Sequence, residues 1–139
     1  MRFESLKDLS REKLAIDTFT SIFSGYSKKL GDNDIDFSVF DKDNNLISYV
    51  EVKGRIKDSR DAFPLPVAAR KLVKLSDKRV TPVMIWACND GIFYGKLEEL
   101  IGECRTGGRK SRVGAANDIE IMVYFDNKNL KFKKYECEL

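Results

Sequence analysis

The stretch 36-DFSVFDKDNNLISYVEVKGR-55 decides how the rest of the chain is read. Residues 36–40 and 46–53 carry the β-branched and aromatic side chains that suit a pleated strand. Between them, Lys42-Asp43-Asn44-Asn45 consists of residues that accept turn geometry. The two runs are expected to form an antiparallel hairpin, in which facing residues have numbers of constant sum. A loop over 42–45 pairs Asp41 with Leu46 and sets Asp36 opposite Glu51; a tighter Asn44-Asn45 loop sets Asp36 opposite Lys53. Opposed side chains share a face, and so do residues two apart on one strand. Either loop therefore gathers Asp36, Glu51 and Lys53 on one face. The other face carries Ile35, Phe37, Val39, Val50 and Val52 as core material. A slip of one residue would bury the charges and expose the valines, so the register is strongly specified.

Facing carboxylates about 5 Å apart repel each other, and one pKa rises unless a cation sits between them. Mg²⁺ is a hard cation that accepts one or two carboxylates and keeps several waters. Such an ion polarises a phosphoryl oxygen and lowers the pKa of a bound water. A neighbouring lysine can orient that water or stabilise charge developing in the transition state. The same pattern also fits a ladder of surface salt bridges across a hairpin, and the pattern alone leaves both open.

Asp36, fourteen intervening residues, then Glu51-Val52-Lys53 at a strand end resembles the PD-(D/E)XK, or restriction-endonuclease-like, nuclease superfamily. The resemblance implies that Asp36 and Glu51 hold a divalent metal, Mg²⁺ or Mn²⁺, with the main-chain carbonyl of Val52 as a further ligand. It implies that Lys53 assists the attacking water. Ile35 stands where the family's name has Pro.

Composition narrows the choices. With 139 residues, 42% hydrophobic and 34% charged, one globular domain over 1–139 is expected. The chain has no apolar run near the roughly 18 residues of a membrane span, and its first residues lack the apolar core of a secretory signal. Net charge is only +3, so its distribution matters more than its sum. Cys88, Cys104 and Cys137 form no C-x-x-C and are odd in number, which fits reduced thiols in a cytoplasmic setting. Histidine is absent. That excludes a Ser-His-Asp triad, a Cys-His pair and histidine-ligated zinc, and leaves hydrolysis to carboxylates, lysine or a hard metal.

Along the chain, residues 5–29 read as a helix with Leu9, Ile16, Phe19, Phe23 and Tyr26 on one stripe. Glu12 lies within about 60° of every one of those positions. A carboxylate amid an apolar face is costly unless it is paired or metal-linked, although near a helix start it can also reach solvent or favour the dipole. The resemblance implies a Glu on the first helix beside the metal, and Glu12 is the matching residue, as a direct or outer contributor. Asp34 shares the parity of Asp36 and is the alternative ligand. The polar loop 54–62 places Arg55, Lys57 and Arg60 beside the site, where they could meet phosphates or simply be solvated.

Residues 63–76 read as a second helix, with Leu65, Ala68, Ala69, Leu72 and Leu75 inward and Arg70, Lys71, Lys74 and Lys78 giving the outer side a basic cast. Val80 to Cys88 is a continuous apolar run, expected as a central strand buried on both faces, with Pro82 near its start. Asn89-Asp90-Gly91 is a hairpin turn leading into a strand over 92–97. This order matches the α-β-β-α-β core of the superfamily, and the NDGIFY passage resembles small stand-alone nucleases of viral and mobile-element genomes.

A short helix is expected over 98–104, followed by a basic loop containing Arg105, Arg109, Lys110 and Arg112, suited to a nucleic-acid backbone or to solvent. Its GGRKS ending departs from a P-loop, because Arg109 breaks the Gly-Lys-Ser order. Strands over 118–125 and 130–136 then form a C-terminal hairpin.

The expectation is an α/β domain with a mixed central sheet flanked by helices, acting as a metal-dependent endonuclease on DNA. Compatible alternatives are a Holliday-junction-resolvase-like nuclease working as a homodimer, a nucleic-acid-binding domain of the same fold without catalysis, and a protein-interaction domain.

Overall fold

The computed structural model describes residues 6–31, 35–77, 80–108 and 119–136. Its elements run α1 (Leu6–Ser21), β1 (Tyr26–Lys29), β2 (Phe37–Phe40), β3 (Leu46–Gly54), β4 (Leu65–Ala68), α2 (Ala69–Ser76), β5 (Pro82–Ala87), β6 (Gly91–Lys96), β7 (Gly102–Gly108), β8 (Ile119–Phe125) and β9 (Lys131–Lys134). A six-stranded sheet has the order β1-β2-β3-β5-β6-β9, and a three-stranded sheet has the order β4-β8-β7. In the large sheet only β3 and β5 run parallel, so the sheet is mixed, as expected.

The β2–β3 hairpin keeps the register of the longer loop at its Phe37–Val50 end, but Asp41 does not pair with Leu46 and lies in the turn. Phe37 faces Val50, Ser38 faces Tyr49 and Val39 faces Ser48, until a bulge between Val39 and Phe40 sets Phe40 opposite Leu46. Asp41 shapes the turn: its Oδ1 accepts the amides of Asp43 and Asn45, both at 2.9 Å. Asn44 takes the left-handed conformation with φ 66°.

Each face of the large sheet is covered. On one, Val50, Val52, Val83, Ile85 and Ala87 pack under α1 through Ala15, Ile16 and Phe19. On the other, Met84, Trp86 and Cys88 meet α2 through Leu75 and the small sheet through Leu65, Val67, Val123 and Phe125. The β5 run is thus buried on both sides, and Trp86 donates its indole N–H to the Pro66 carbonyl at 2.9 Å. Ile35 belongs to this second cluster rather than to the α1 side where the alternation placed it.

Four expected elements differ. The helix read over 5–29 stops at Ser21, because Ser24 turns left-handed (φ 57°) and Gly25 follows it where a Cβ would strike the Phe40 carbonyl. Tyr26 kept the helical spacing by coincidence; it lies in β1 and stacks on Phe40 at 5.2 Å. The helix read over 63–76 begins only at Ala69. Pro66 disfavours helical geometry at Leu65, and Leu65 and Val67 alternate inward along β4, an edge strand where a proline is tolerated. The helix read over 98–104 is a single 3₁₀ turn over Leu97–Glu99, after which β7 pairs with β8 from Gly102 to Gly108. The C-terminal hairpin does not form: β8 joins the small sheet and β9 pairs with β6 in the large one. Both are recruited by long-range partners whose attraction no local pattern displays.

Candidate active site

The β2–β3 ladder ends at Phe37 and Val50. One step further on, side chains take over from the main chain. The amide of Asp36 donates to Glu51 Oε2 at 3.2 Å, and the amide of Val52 donates to Asp36 Oδ2 at 2.9 Å. Each acid is thus fastened to the opposite strand's backbone, and the two carboxylates are locked side by side. The constant-sum register anticipated this pairing.

Glu51 is only 5% exposed, which sets it apart from the members of a surface salt-bridge ladder. It shares its face of β3 with Tyr49, and α2 and the small sheet close over that face. A buried carboxylate needs a cation, and α2 supplies one: Lys71 Nζ lies 3.2 Å from Glu51 Oε1. Burial pushes the Glu51 carboxyl above its ordinary range, the negative charge of Asp36 pushes it further, and Lys71 pulls it back down. The surface-ladder alternative fails on this burial.

Lys71 therefore faces the sheet and not, as expected, the outward side of its helix. The usable signal was spacing: it precedes buried Leu75 by four residues, which puts both on one helix face. Lys53 is exposed and follows Glu51 by two residues on the strand, so it belongs to the same face of β3.

Other anticipated residues are placed as follows. Glu12 lies on α1, the helix that covers the Val50 and Val52 face, with its Oε1 3.6 Å from Lys29 Nζ. Among the described residues no three acids, cysteines or histidines come together as a metal-holding group, so Glu12 does not join Asp36 and Glu51 directly. Arg55 is half-buried and braces the following loop, donating from Nε to the Ala62 carbonyl at 2.9 Å and from Nη2 to the Pro64 carbonyl at 3.4 Å. Arg105 is exposed on β7, 2.9 Å from Glu103 and over the Tyr124 ring. Arg109, Lys110, Arg112 and Asp34 lie outside the described residues.

The donor set suits a hard divalent ion. Two adjacent carboxylates raise each other's cost of ionisation, and a cation that takes one or two carboxylates and retains water would relieve it.

A family model described as "Phage putative PDDEXK endonuclease" matches residues 1–134. No curated protein and no solved structure matches the chain.

Proposed function

The chain belongs to this phage PDDEXK endonuclease family, and we propose that it is a metal-dependent endonuclease hydrolysing DNA phosphodiester bonds at the Asp36–Glu51 pair. The observation that carries the reading is the reciprocal lock of two carboxylates, one of them buried, at the end of the β2–β3 ladder.

Asp36 and Glu51 would hold Mg²⁺ or Mn²⁺, with the Val52 carbonyl as a further oxygen. Bound there, the ion supplies Lewis acidity to a phosphoryl oxygen and a lowered pKa to a coordinated water. Lys53, exposed on the same face, orients the attacking water and balances negative charge that builds on the phosphate. Glu12 acts at a distance, from beneath the sheet, where Lys29 holds it. Arg105, together with Arg109, Lys110 and Arg112, takes the flanking backbone phosphates; Arg55 contributes by fixing the loop that leaves β3. Among the described residues no helix is long and apolar enough to cross a membrane.

The test is cleavage of supercoiled plasmid in Mg²⁺ or Mn²⁺. Lys53→Ala should lose at least about a hundredfold in rate, the usual contribution of a group acting on the reacting water. A Lys53→Ala protein that cuts as fast as wild type removes Lys53 from the reaction.

A further inference from the structure

Both oxygens of Glu51 are already engaged. Oε2 accepts the Asp36 amide and Oε1 faces the Lys71 ammonium. Lys71 is drawn in where its helix neighbour is not: its side chain is 28% exposed, whereas that of Arg70 is 69% exposed and pairs with Glu120 on β8. Leu75, buried one turn later on the same face, fixes the helix so that Lys71 points at the sheet. An ion taken up by Asp36 and Glu51 therefore meets a Glu51 whose Oε1 is already paired with a cation of the protein itself.

We propose that Lys71 is a built-in competitor for the divalent ion: it neutralises Glu51 in the metal-free protein and must yield Oε1 when the metal binds. The inference rests on the reading of Asp36 and Glu51 as metal ligands. The competition has two linked consequences. Without metal, Lys71 stabilises the fold by pairing a carboxylate that burial would otherwise strand. With metal, the same ammonium is a nearby positive charge that weakens ion binding. Removing it should lower stability in chelator and strengthen metal affinity, two effects of opposite sign from one substitution.

The experiment titrates Mn²⁺ alone into wild type, Lys71→Gln and Lys71→Met, by calorimetry and by the Mn²⁺ electron paramagnetic resonance signal, and melts each protein with EDTA and with saturating Mn²⁺. Lys71→Gln keeps a neutral hydrogen-bond donor, so it remains informative if Lys71→Met is too unstable to study. The expected result is Mn²⁺ bound at least about fivefold more tightly by the variants, the lower end of ordinary coupling between sites. Their melting temperatures should fall in EDTA and recover in Mn²⁺. Equal or weaker binding by the variants, or a deficit that persists in Mn²⁺, leaves Lys71 a structural residue and overturns the inference alone. Absence of Mn²⁺ binding in wild type and variants alike overturns the metal-site reading and the inference with it.

Discussion

Asp36 does two separable things, and comparing Asp36→Asn with Asp36→Ala measures each. Its Oδ2 accepts the Val52 amide at 2.9 Å, in a strand whose Val52 is buried. Asn keeps an oxygen for that amide; Ala does not. Leaving the N–H without an acceptor costs about 1–3 kcal/mol, so Asp36→Ala should melt roughly 3–10 °C below Asp36→Asn in EDTA, at the slope expected for a chain of this size. Asp36 also carries charge. Two carboxylates about 5 Å apart repel by about 3 kcal/mol at an effective dielectric near 20, an upper bound here because Lys71 offsets it. Asp36→Asn should therefore melt no lower than wild type. The pH profile supplies the sign. Glu51 titrates above its ordinary 4.5 through burial first and Asp36 second. Just above pH 4.5 the folded state then binds more protons than the unfolded one, and stability falls as pH rises through that window. Asp36→Asn removes the second cause, so its stability should fall less between pH 4.5 and neutrality. On the proposed assignment of Asp36 as a metal ligand, cleavage in Mg²⁺ should disappear in both variants. Identical melting of the two variants would remove the Val52 amide bond as a source of stability, and wild-type cleavage by Asp36→Asn would remove Asp36 from the reaction.

Two other outcomes follow from the packing. Leu75 is fully buried and anchors α2; Leu75→Ala should cost about 2–5 kcal/mol by calorimetric or denaturant unfolding, and because α2 carries Lys71 it should also loosen the Lys71–Glu51 pair, seen as faster hydrogen exchange in α2. Cys88 is buried and its thiol is pushed up to about 11, chiefly by desolvation, whereas Cys104 is exposed. Iodoacetamide at pH 8 followed by peptide mass spectrometry should modify Cys104 and spare Cys88; prompt labelling of Cys88 in the folded protein would contradict its place in the core.

What the sequence made legible was local. The hairpin could be read because strand alternation and a constant-sum register both act within twenty residues, and they brought Asp36 to Glu51 before any fold was known. The bulge at Val39 was not readable, since it shifts pairing without breaking the apolar pattern. β1, β4 and β7 were missed for one reason. Each is an edge strand of its sheet, held by a partner that is distant along the chain or across a turn; β1 and β4 have spacings that also suit a helix, whereas β7, with glycines at 102, 107 and 108, carries no apolar alternation and reads as a loop from Arg105 on. Phe19, Phe23 and Tyr26 show the ambiguity: the first lies in α1, the second in the turn after it and the third opens a strand, yet all meet aromatic neighbours.

The small sheet matters most for the chemistry, although none of its strands carries Asp36, Glu51 or Lys53. A hairpin with one open face would hold Asp36, Glu51 and Lys53 in water, where facing charges are screened and exchange partners freely. Covering that face with α2 and β4-β8-β7 changes the energetics of Glu51, because a carboxylate removed from water must find a cation or a proton. The fold therefore creates a demand for positive charge at a fixed point. Lys71 meets it from inside the chain, and a divalent ion shared with Asp36 would meet it better, with two charges against one. A surface ladder has no such preference. Burial of Glu51, more than the spacing of the motif, is what separates this hairpin from a ladder of surface salt bridges.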